Sequence, residues 1–207
     1  MKAIDDKSID LVLTDIPYGE CSGRKNGIRV INKGLADVVN FDLEELVSIL
    51  SKKTKQTIYI FCGIEQVSLI RSVMAKNGLT TRLCIWEKTN PSPMNGQNLW
   101  LSSIECCVFG KFSNATFNES CKSCVWKFPC GTAKIHPTQK PLKLFKYLIS
   151  VSSNEGDIVL DPFSGSGTTA IAAKQLKRNF IAFEKNTEFY NSSVKRFNEE
   201  TAQLSLF

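Results

Sequence analysis

Apolar residues along the chain follow two alternating rhythms. Short runs rich in Ile, Val, Leu and Phe at residues 9–14, 57–62, 79–87, 104–110, 158–160 and 180–183 predict strands. Between them, residues 42–51, 64–77, 142–152, 168–177 and 188–202 repeat apolar positions at i, i+3 and i+4, the stripe of an amphipathic helix. The second of these ends at Asn77-Gly78, a helix stop signal. Strands alternating with helices predict an α/β doubly wound domain, a mostly parallel sheet covered by helices on both faces. A chain of 207 residues that is 43% hydrophobic can bury one sizeable core, so residues 1–207 are expected to form a single domain.

Two segments break the alternation. Residues 19–40 contain four glycines and many polar side chains, and residues 111–135 contain Cys121, Cys124 and Cys130. Both are expected to be surface loops, and loops of this length in a small domain are candidates for contacting a substrate. Cys121, Cys124, Cys130 and His136 have a zinc-like spacing, but a second C-x2-C pair is missing, and loop cysteines without metal are the expectation. Cys62, Cys84, Cys106 and Cys107 lie in apolar runs and read as small core residues.

Charge changes the picture modestly. Twenty-six Lys and Arg against 20 Asp and Glu give +6, an excess that suits a polyanionic partner. No basic run of five or more is present, so a nucleic-acid surface would have to be assembled from scattered positions such as Arg24, Lys25, Arg29 and Lys33. No apolar stretch approaches the length needed to cross a bilayer, and residues 1–10 lack the apolar core of a secretory signal. A cytoplasmic protein with free thiols and no membrane partner is expected.

Three segments carry chemistry. Leu160-Asp161-Pro162-Phe163-Ser164-Gly165-Ser166-Gly167-Thr168-Thr169 leads from the strand at 158–160 into the helix at 168–177. Glycines let a backbone approach a ligand closely, and the N-terminus of the helix offers N–H groups to an anion such as a carboxylate. The Gly-Lys-Ser/Thr of a phosphate loop is absent, and Ala170 stands where the third glycine of G-x-G-x-x-G would be, so neither ATP hydrolysis nor ordinary dinucleotide binding is indicated. Glu184 tips the next strand, where a carboxylate can accept hydrogen bonds from both hydroxyls of a ribose. Asp15-Ile16-Pro17-Tyr18 ends the first strand, at the edge where open α/β sheets bind ligands. The Asp15 carboxylate and the Ile16 carbonyl could accept N–H bonds from an exocyclic amine, Pro17 would stiffen the turn, and Tyr18 offers a face for an extruded base. Taken alone, the same four residues also suit an ordinary strand-end turn.

Together with His136-Pro137-Thr138-Gln139-Lys140-Pro141, these segments resemble the DNA amino-methyltransferases (N4-cytosine and N6-adenine) of the β group, in which the catalytic motif precedes the cofactor motif. The resemblance covers most of the chain. It implies S-adenosylmethionine as cofactor, held by Thr138, Lys140, Asp161, Pro162, Phe163, Gly165, Ser166, Gly167, Thr168 and Glu184. It also implies catalysis by Asp15, Ile16, Pro17 and Tyr18 without a metal, and double-stranded DNA as the substrate of a modification enzyme. Asp rather than Ser at the first catalytic position favours adenine, with N4-cytosine as the alternative. Residues 86–91 and 103–105 resemble segments that line the base pocket. A homodimer is an assembly open to such an enzyme.

The chain departs from the family pattern where Ile16 replaces the usual Pro, and where only residues 1–7 precede the catalytic strand region. These departures keep a non-catalytic DNA-binding derivative as a rival reading. The last residues, Gln203, Leu204, Ser205, Leu206 and Phe207, resemble the pentapeptide that docks bacterial proteins on the sliding clamp, which makes the clamp an expected partner.

Overall fold

The computed structural model describes residues 3–18, 41–93, 96–131 and 139–202. Among these residues, seven strands form one sheet in the order β5-β3-β4-β2-β1-β6-β7. In chain order the elements are β1 (Ile9–Asp15), α1 (Leu43–Lys53), β2 (Thr54–Cys62), a 3-10 turn (Ile64–Gln66), α2 (Val67–Lys76), β3 (Thr80–Lys88), β4 (Ile104–Lys111) and β5 (Val125–Phe128). There follow α3 (Leu142–Ser152), β6 (Ile158–Asp161), α4 (Thr168–Gln175), β7 (Asn179–Ala182) and α5 (Thr187–Ala202). The doubly wound α/β expectation therefore holds.

The chain leaves β1 towards β2 on one side and returns to β6 on the other, with β1 parallel to both. That makes the β1–β6 boundary the switch point of the sheet, where diverging connections leave a crevice at the carboxyl ends. The last residues of β1 and β6 are Asp15 and Asp161. Strand β4 runs antiparallel to β2 and β3, so its first residues lie at the edge where the other strands end.

Alternation along the central strands explains the two cores. Val12, Ile58, Ile60 and Val108 point to the face covered by Leu46, Val47 and Leu50 of α1 and by Ile70, Val73 and Met74 of α2. Leu11, Leu13, Tyr59, Phe61 and Cys107 point to the opposite face, against Leu144, Phe145 and Leu148 of α3 and Ala172 and Ala173 of α4. Strands buried on both faces read as continuous apolar runs, as these do.

Most boundaries fall near the expected ones, and α3 coincides with residues 142–152. Strand β2 starts at Thr54 rather than residue 57, because α1 passes straight into it: the Thr54 hydroxyl and N–H both bond to the Leu50 carbonyl, ending the helix without a loop. The expected loop at 111–135 needs correction. It contains β5, whose Trp126 is buried and whose Val125 to Phe128 pair in parallel with Ile85 to Lys88 of β3. Ahead of it, Asn118 is bonded to the end of α3 through Val151, Ser150 and Ser153 carbonyls, so this segment is fastened to the body of the fold. Residues 19–40 and 132–135 lie outside the described residues.

Cys62, Cys84, Cys106 and Cys107 are buried, as core residues would be. Cys121 is exposed, while Cys124 and Cys130 are half-buried, and His136 lies outside the described residues. Cys130 exchanges backbone bonds with the side chain of Asn90, N–H to Oδ1 at 2.6 Å, which ties the end of β5 to the segment after β3. No described helix is long and apolar enough to cross a membrane.

Candidate active site at the sheet switch point

Strand β1 delivers Asp15 to the carboxyl edge, and the chain then turns through Ile16, Pro17 and Tyr18. Ile16 is 2% exposed and donates its N–H to the Phe61 carbonyl, extending the parallel pairing by one step before the turn. A β-branched apolar side chain sinks into the core here, so packing supplies stiffness that the usual proline would supply covalently. The Pro17 carbonyl accepts a bond from Gln66 Nε2 at 3.0 Å, while Gln66 Oε1 accepts the Gly63 N–H at 2.8 Å. One amide side chain thus links the ends of β1 and β2. Gly63 favours this closeness: a Cβ there would stand 3.3 Å from the Tyr18 carbonyl oxygen, tight enough to push the two strand ends slightly apart.

Four charged side chains and a phenol meet at this turn. Lys140 Nζ lies 2.5 Å from Asp15 Oδ2 and 3.0 Å from Glu105 Oε2, and Lys88 Nζ lies 2.9 Å from Glu105 Oε1. The Tyr18 hydroxyl reaches Asp15 Oδ1 at 3.0 Å and Glu105 Oε2 at 3.1 Å. Two carboxylates are balanced by two ammonium groups, and the side chain of Lys140 is only 5% exposed.

Burial pushes the Asp15 carboxyl up, and the neighbouring Glu105 adds to this, against the pull of Lys140. Glu105 differs because it holds two lysines: burial raises it, but Lys140 and Lys88 together outweigh burial and bring it down to about 2. Burial works against the charge of Lys140, yet Asp15 and Glu105 win and its pKa is raised. The Tyr18 phenol, buried beside two carboxylates, is pushed well up. The site at neutral pH therefore contains a charged lysine, an ionised Glu105, a neutral phenol and, in Asp15, a carboxylate with increased proton affinity.

The second half of the site is built on β6 and α4. Asp161 is 3% exposed. Its Oδ1 accepts the Thr14 hydroxyl at 2.7 Å and the Phe163 N–H at 3.1 Å, and its Oδ2 accepts the Thr169 hydroxyl at 2.5 Å. The carboxylate thus clasps β1, the turn after β6 and the first turn of α4. Burial pushes it up to about 6 despite those three donors. Gly165 and Gly167 both have positive φ, 49° and 73°, and Gly167 caps α4 in the left-handed conformation. The N–H of Gly165 bonds to Glu184 Oε2, and the Asn186 N–H to Glu184 Oε1, each at 2.8 Å. Phe163, half-buried beside this turn, packs on Phe41 with ring centroids 5.1 Å apart.

The described candidates therefore gather at one crevice. Asp15, Ile16, Pro17 and Tyr18 stand on one wall, and Asp161, Pro162, Phe163, Gly165, Ser166, Gly167, Thr168 and Glu184 on the other. Lys140, expected with the cofactor group, spans the two: its ammonium is on Asp15 and its carbonyl is 3.5 Å from the Thr168 hydroxyl. Thr138 lies outside the described residues.

Three supports were not readable from pattern. Arg196 of α5 is buried and donates to the Ser166 carbonyl at 3.1 Å and the Thr168 hydroxyl at 3.0 Å, with its Nε on Glu200 at 2.6 Å. Thr14 and Gln66 are the others. The Arg196–Glu200 spacing of four was the available signal, but it is also that of an ordinary exposed helix pair.

Comparison with known proteins agrees with this geometry. A family model described as DNA methylase, of the N6/N4 type, matches residues 97–195. The type II methyltransferase M2.MboI of Moraxella bovis is 30% identical over 234 residues, covering 99% of this chain and 86% of that protein. The type II methyltransferase M.HpaI of Haemophilus parainfluenzae is 32% identical over 228 residues, covering 97% and 71%. Among solved structures, the M1.HpyAVI–SAM complex superposes with a TM-score of 0.73 at 31% identity, covering 92% of this chain and 89% of that one. The cytosine-N4-specific PvuII DNA methyltransferase shares the fold, with a TM-score of 0.71 at 16% identity. A relative 30% identical and matched over 99% of this chain and 86% of its own length shows that the chain belongs to the N6/N4 DNA methylase family.

Proposed function

We propose that this protein methylates the exocyclic amino group of adenine in double-stranded DNA, using S-adenosylmethionine and giving N6-methyladenine. The observation that carries the proposal is the Asp15 carboxylate at the end of β1, on the strand next to β6, whose glycine turn opens α4. Family membership makes DNA methylation the class of activity, and M1.HpyAVI, a relative of comparable length, is solved as a SAM complex.

The residues present fit the cofactor. The first N–H groups of α4 have no partners within the helix and suit a carboxylate. Each Glu184 oxygen accepts one backbone N–H and retains lone-pair capacity for a ribose hydroxyl. Phe163 is an apolar surface for a base. When bound, S-adenosylmethionine supplies an electrophilic methyl group.

Catalysis by this chain is chiefly positioning. The exocyclic amine of a base is a weak nucleophile because its lone pair is delocalised into the ring. Asp15 and the Ile16 carbonyl accept its two N–H bonds and turn the lone pair outward. Lys140 holds one Asp15 oxygen at a fixed angle and leaves further acceptor capacity on the carboxylate. As positive charge develops on nitrogen, the carboxylate stabilises it, and its raised proton affinity suits it to take the proton that is lost.

The test is transfer of labelled methyl groups to unmodified duplex DNA, followed by digestion to nucleosides. N6-methyladenine is expected, and Asp15→Ala should reduce transfer by roughly 10²-fold or more. N4-methylcytosine would overturn the choice of base. Absence of both transfer and cofactor binding would overturn the enzymatic reading. Residues 203–207 are proposed to dock on a bacterial sliding clamp, a separate contact that transfer to short duplexes does not need.

A further inference from the structure

Trp100 is fully exposed, and its neighbours Leu99 and Leu101 are 58% and 42% exposed. The two remaining tryptophans, Trp86 and Trp126, are buried in the core at 2% and 8%. Three consecutive apolar side chains presented to water are unfavourable for solubility unless something covers them in use.

Their place in the fold indicates what that is. Because β4 runs antiparallel, the segment before Ile104 lies at the carboxyl edge of β1, β2 and β3, the edge of the candidate active site. Glu105, which touches Tyr18 and Lys140, comes five residues after Trp100, within roughly 18 Å of extended chain. The segment is anchored to the same cluster: the Lys88 N–H bonds to the Ser103 carbonyl at 2.7 Å, and Lys88 Nζ reaches both Glu105 and the Ser102 carbonyl. Ser103 N–H closes on the Leu101 carbonyl at 2.8 Å. A Cβ on Gly96 would stand 2.7 Å from Leu101 Cδ2, so Leu101 packs directly on that glycine. The base of the segment is held while its tip projects.

We infer that Trp100 inserts into the DNA base stack beside the target nucleotide and stabilises the extruded base, with Leu99 and Leu101 against the neighbouring sugars. The inference rests on the DNA-methylation reading above. Extraction of a base exposes the faces of its neighbours, and an indole is a flat apolar group that covers them. Lys88, behind the segment, has its charge engaged by Glu105, so the tip offers stacking rather than a basic contact.

The experiment uses the full chain, wild type and Trp100→Ala and Trp100→Phe variants, with unmodified duplex DNA. Wild-type tryptophan fluorescence should be quenched by DNA and become shielded from acrylamide, and W100A should lose both responses. Methyl transfer to duplex should fall at least 10-fold in W100A and largely recover in W100F, with unchanged binding of S-adenosylmethionine. Trp100 remaining accessible to acrylamide in the DNA complex, or transfer by W100A at the wild-type rate, overturns the inference. Shielding of Trp100 before DNA is added, together with a W100A protein that sediments as a smaller species, also overturns it and identifies a contact between copies of the chain. A wild-type protein that transfers no methyl group defeats the methylation reading, and the DNA-dependent shielding then still decides the position of Trp100.

Discussion

Asp15 is subject to opposing demands at a single carboxylate. To accept the N–H of an amine it must be ionised, yet burial and Glu105 both favour its proton. Lys140 opposes both without reversing them, and the cation is shared between two acids. Lys140→Gln should leave two carboxylates crowded without their common counter-charge, so the acid limb of the pH–rate profile should move to higher pH. Transfer near neutrality should drop and recover partly as pH rises. The loss of stability should be about 3–5 kcal/mol, measured by urea denaturation. A profile that keeps its acid limb in place would show that Lys140 does not govern Asp15.

Asp161 and Glu105 respond to acid in opposite ways. Asp161 sits at about 6 when folded against 3.8 ordinarily, so the folded state binds its proton more tightly. Its contribution is most favourable below pH 3.8 and is lost as pH rises through 6, by about 3 kcal/mol at most. Glu105, at about 2 against 4.5, contributes stability that is present above pH 4.5 and lost as pH falls towards 2. Asp161→Asn should therefore gain stability relative to wild type between pH 4 and 6, even while the clasp on Thr14 and Thr169 is rearranged. Denaturation curves across that range decide it: a difference that is flat with pH would mean Asp161 titrates normally.

At the scale of elements, the glycine turn before α4 depends on α5. Gly167 begins α4 at φ 73°, and a Cβ there would stand 3.2 Å from Ser193 Cβ. Gly167→Ala combines a left-handed backbone with a crowded neighbour, and about 1–2 kcal/mol of destabilisation is expected. Cofactor affinity, read by calorimetry, should weaken with it. Arg196→Met keeps the apolar stem but removes the donors to Ser166 and Thr168, and should weaken cofactor binding while leaving the Asp15 pH profile in place. The helix itself was legible from apolar spacing at residues 188–202, but its function was not, because i, i+4 charge pairs are common on exposed helices. Strand β5 was hidden for a related reason. Four residues among cysteines and polar groups make a weak pattern, and only pairing with β3 stabilises them as a strand.

For the whole molecule, the excess of +6 gives DNA binding a strong ionic component. Affinity for duplex should fall steeply and linearly on a log–log plot as salt rises. Removal of residues 203–207 should abolish co-sedimentation with a bacterial sliding clamp and leave transfer to short duplexes unchanged. Persistent clamp binding by the truncated chain would refute that contact.

What the sequence determined by itself was local. Apolar periodicity specified the five described helices and six of the seven described strands, because burial of one face is written in the spacing of side chains. The glycine turn, the acid-tipped strand and the Asp-Ile-Pro-Tyr turn were legible because each needs particular residue types at adjacent positions. The direction of β4 and the order of strands were left open, since an apolar run pairs equally well in either sense. Only the tertiary structure brought Lys140 to Asp15 across 125 positions, and Thr14 to Asp161 across 147. Such contacts arise from the packing of helices on the sheet, which closes long loops and desolvates the groups it brings together. A lysine next to a proline in the chain thereby becomes the buried counter-charge of two acids.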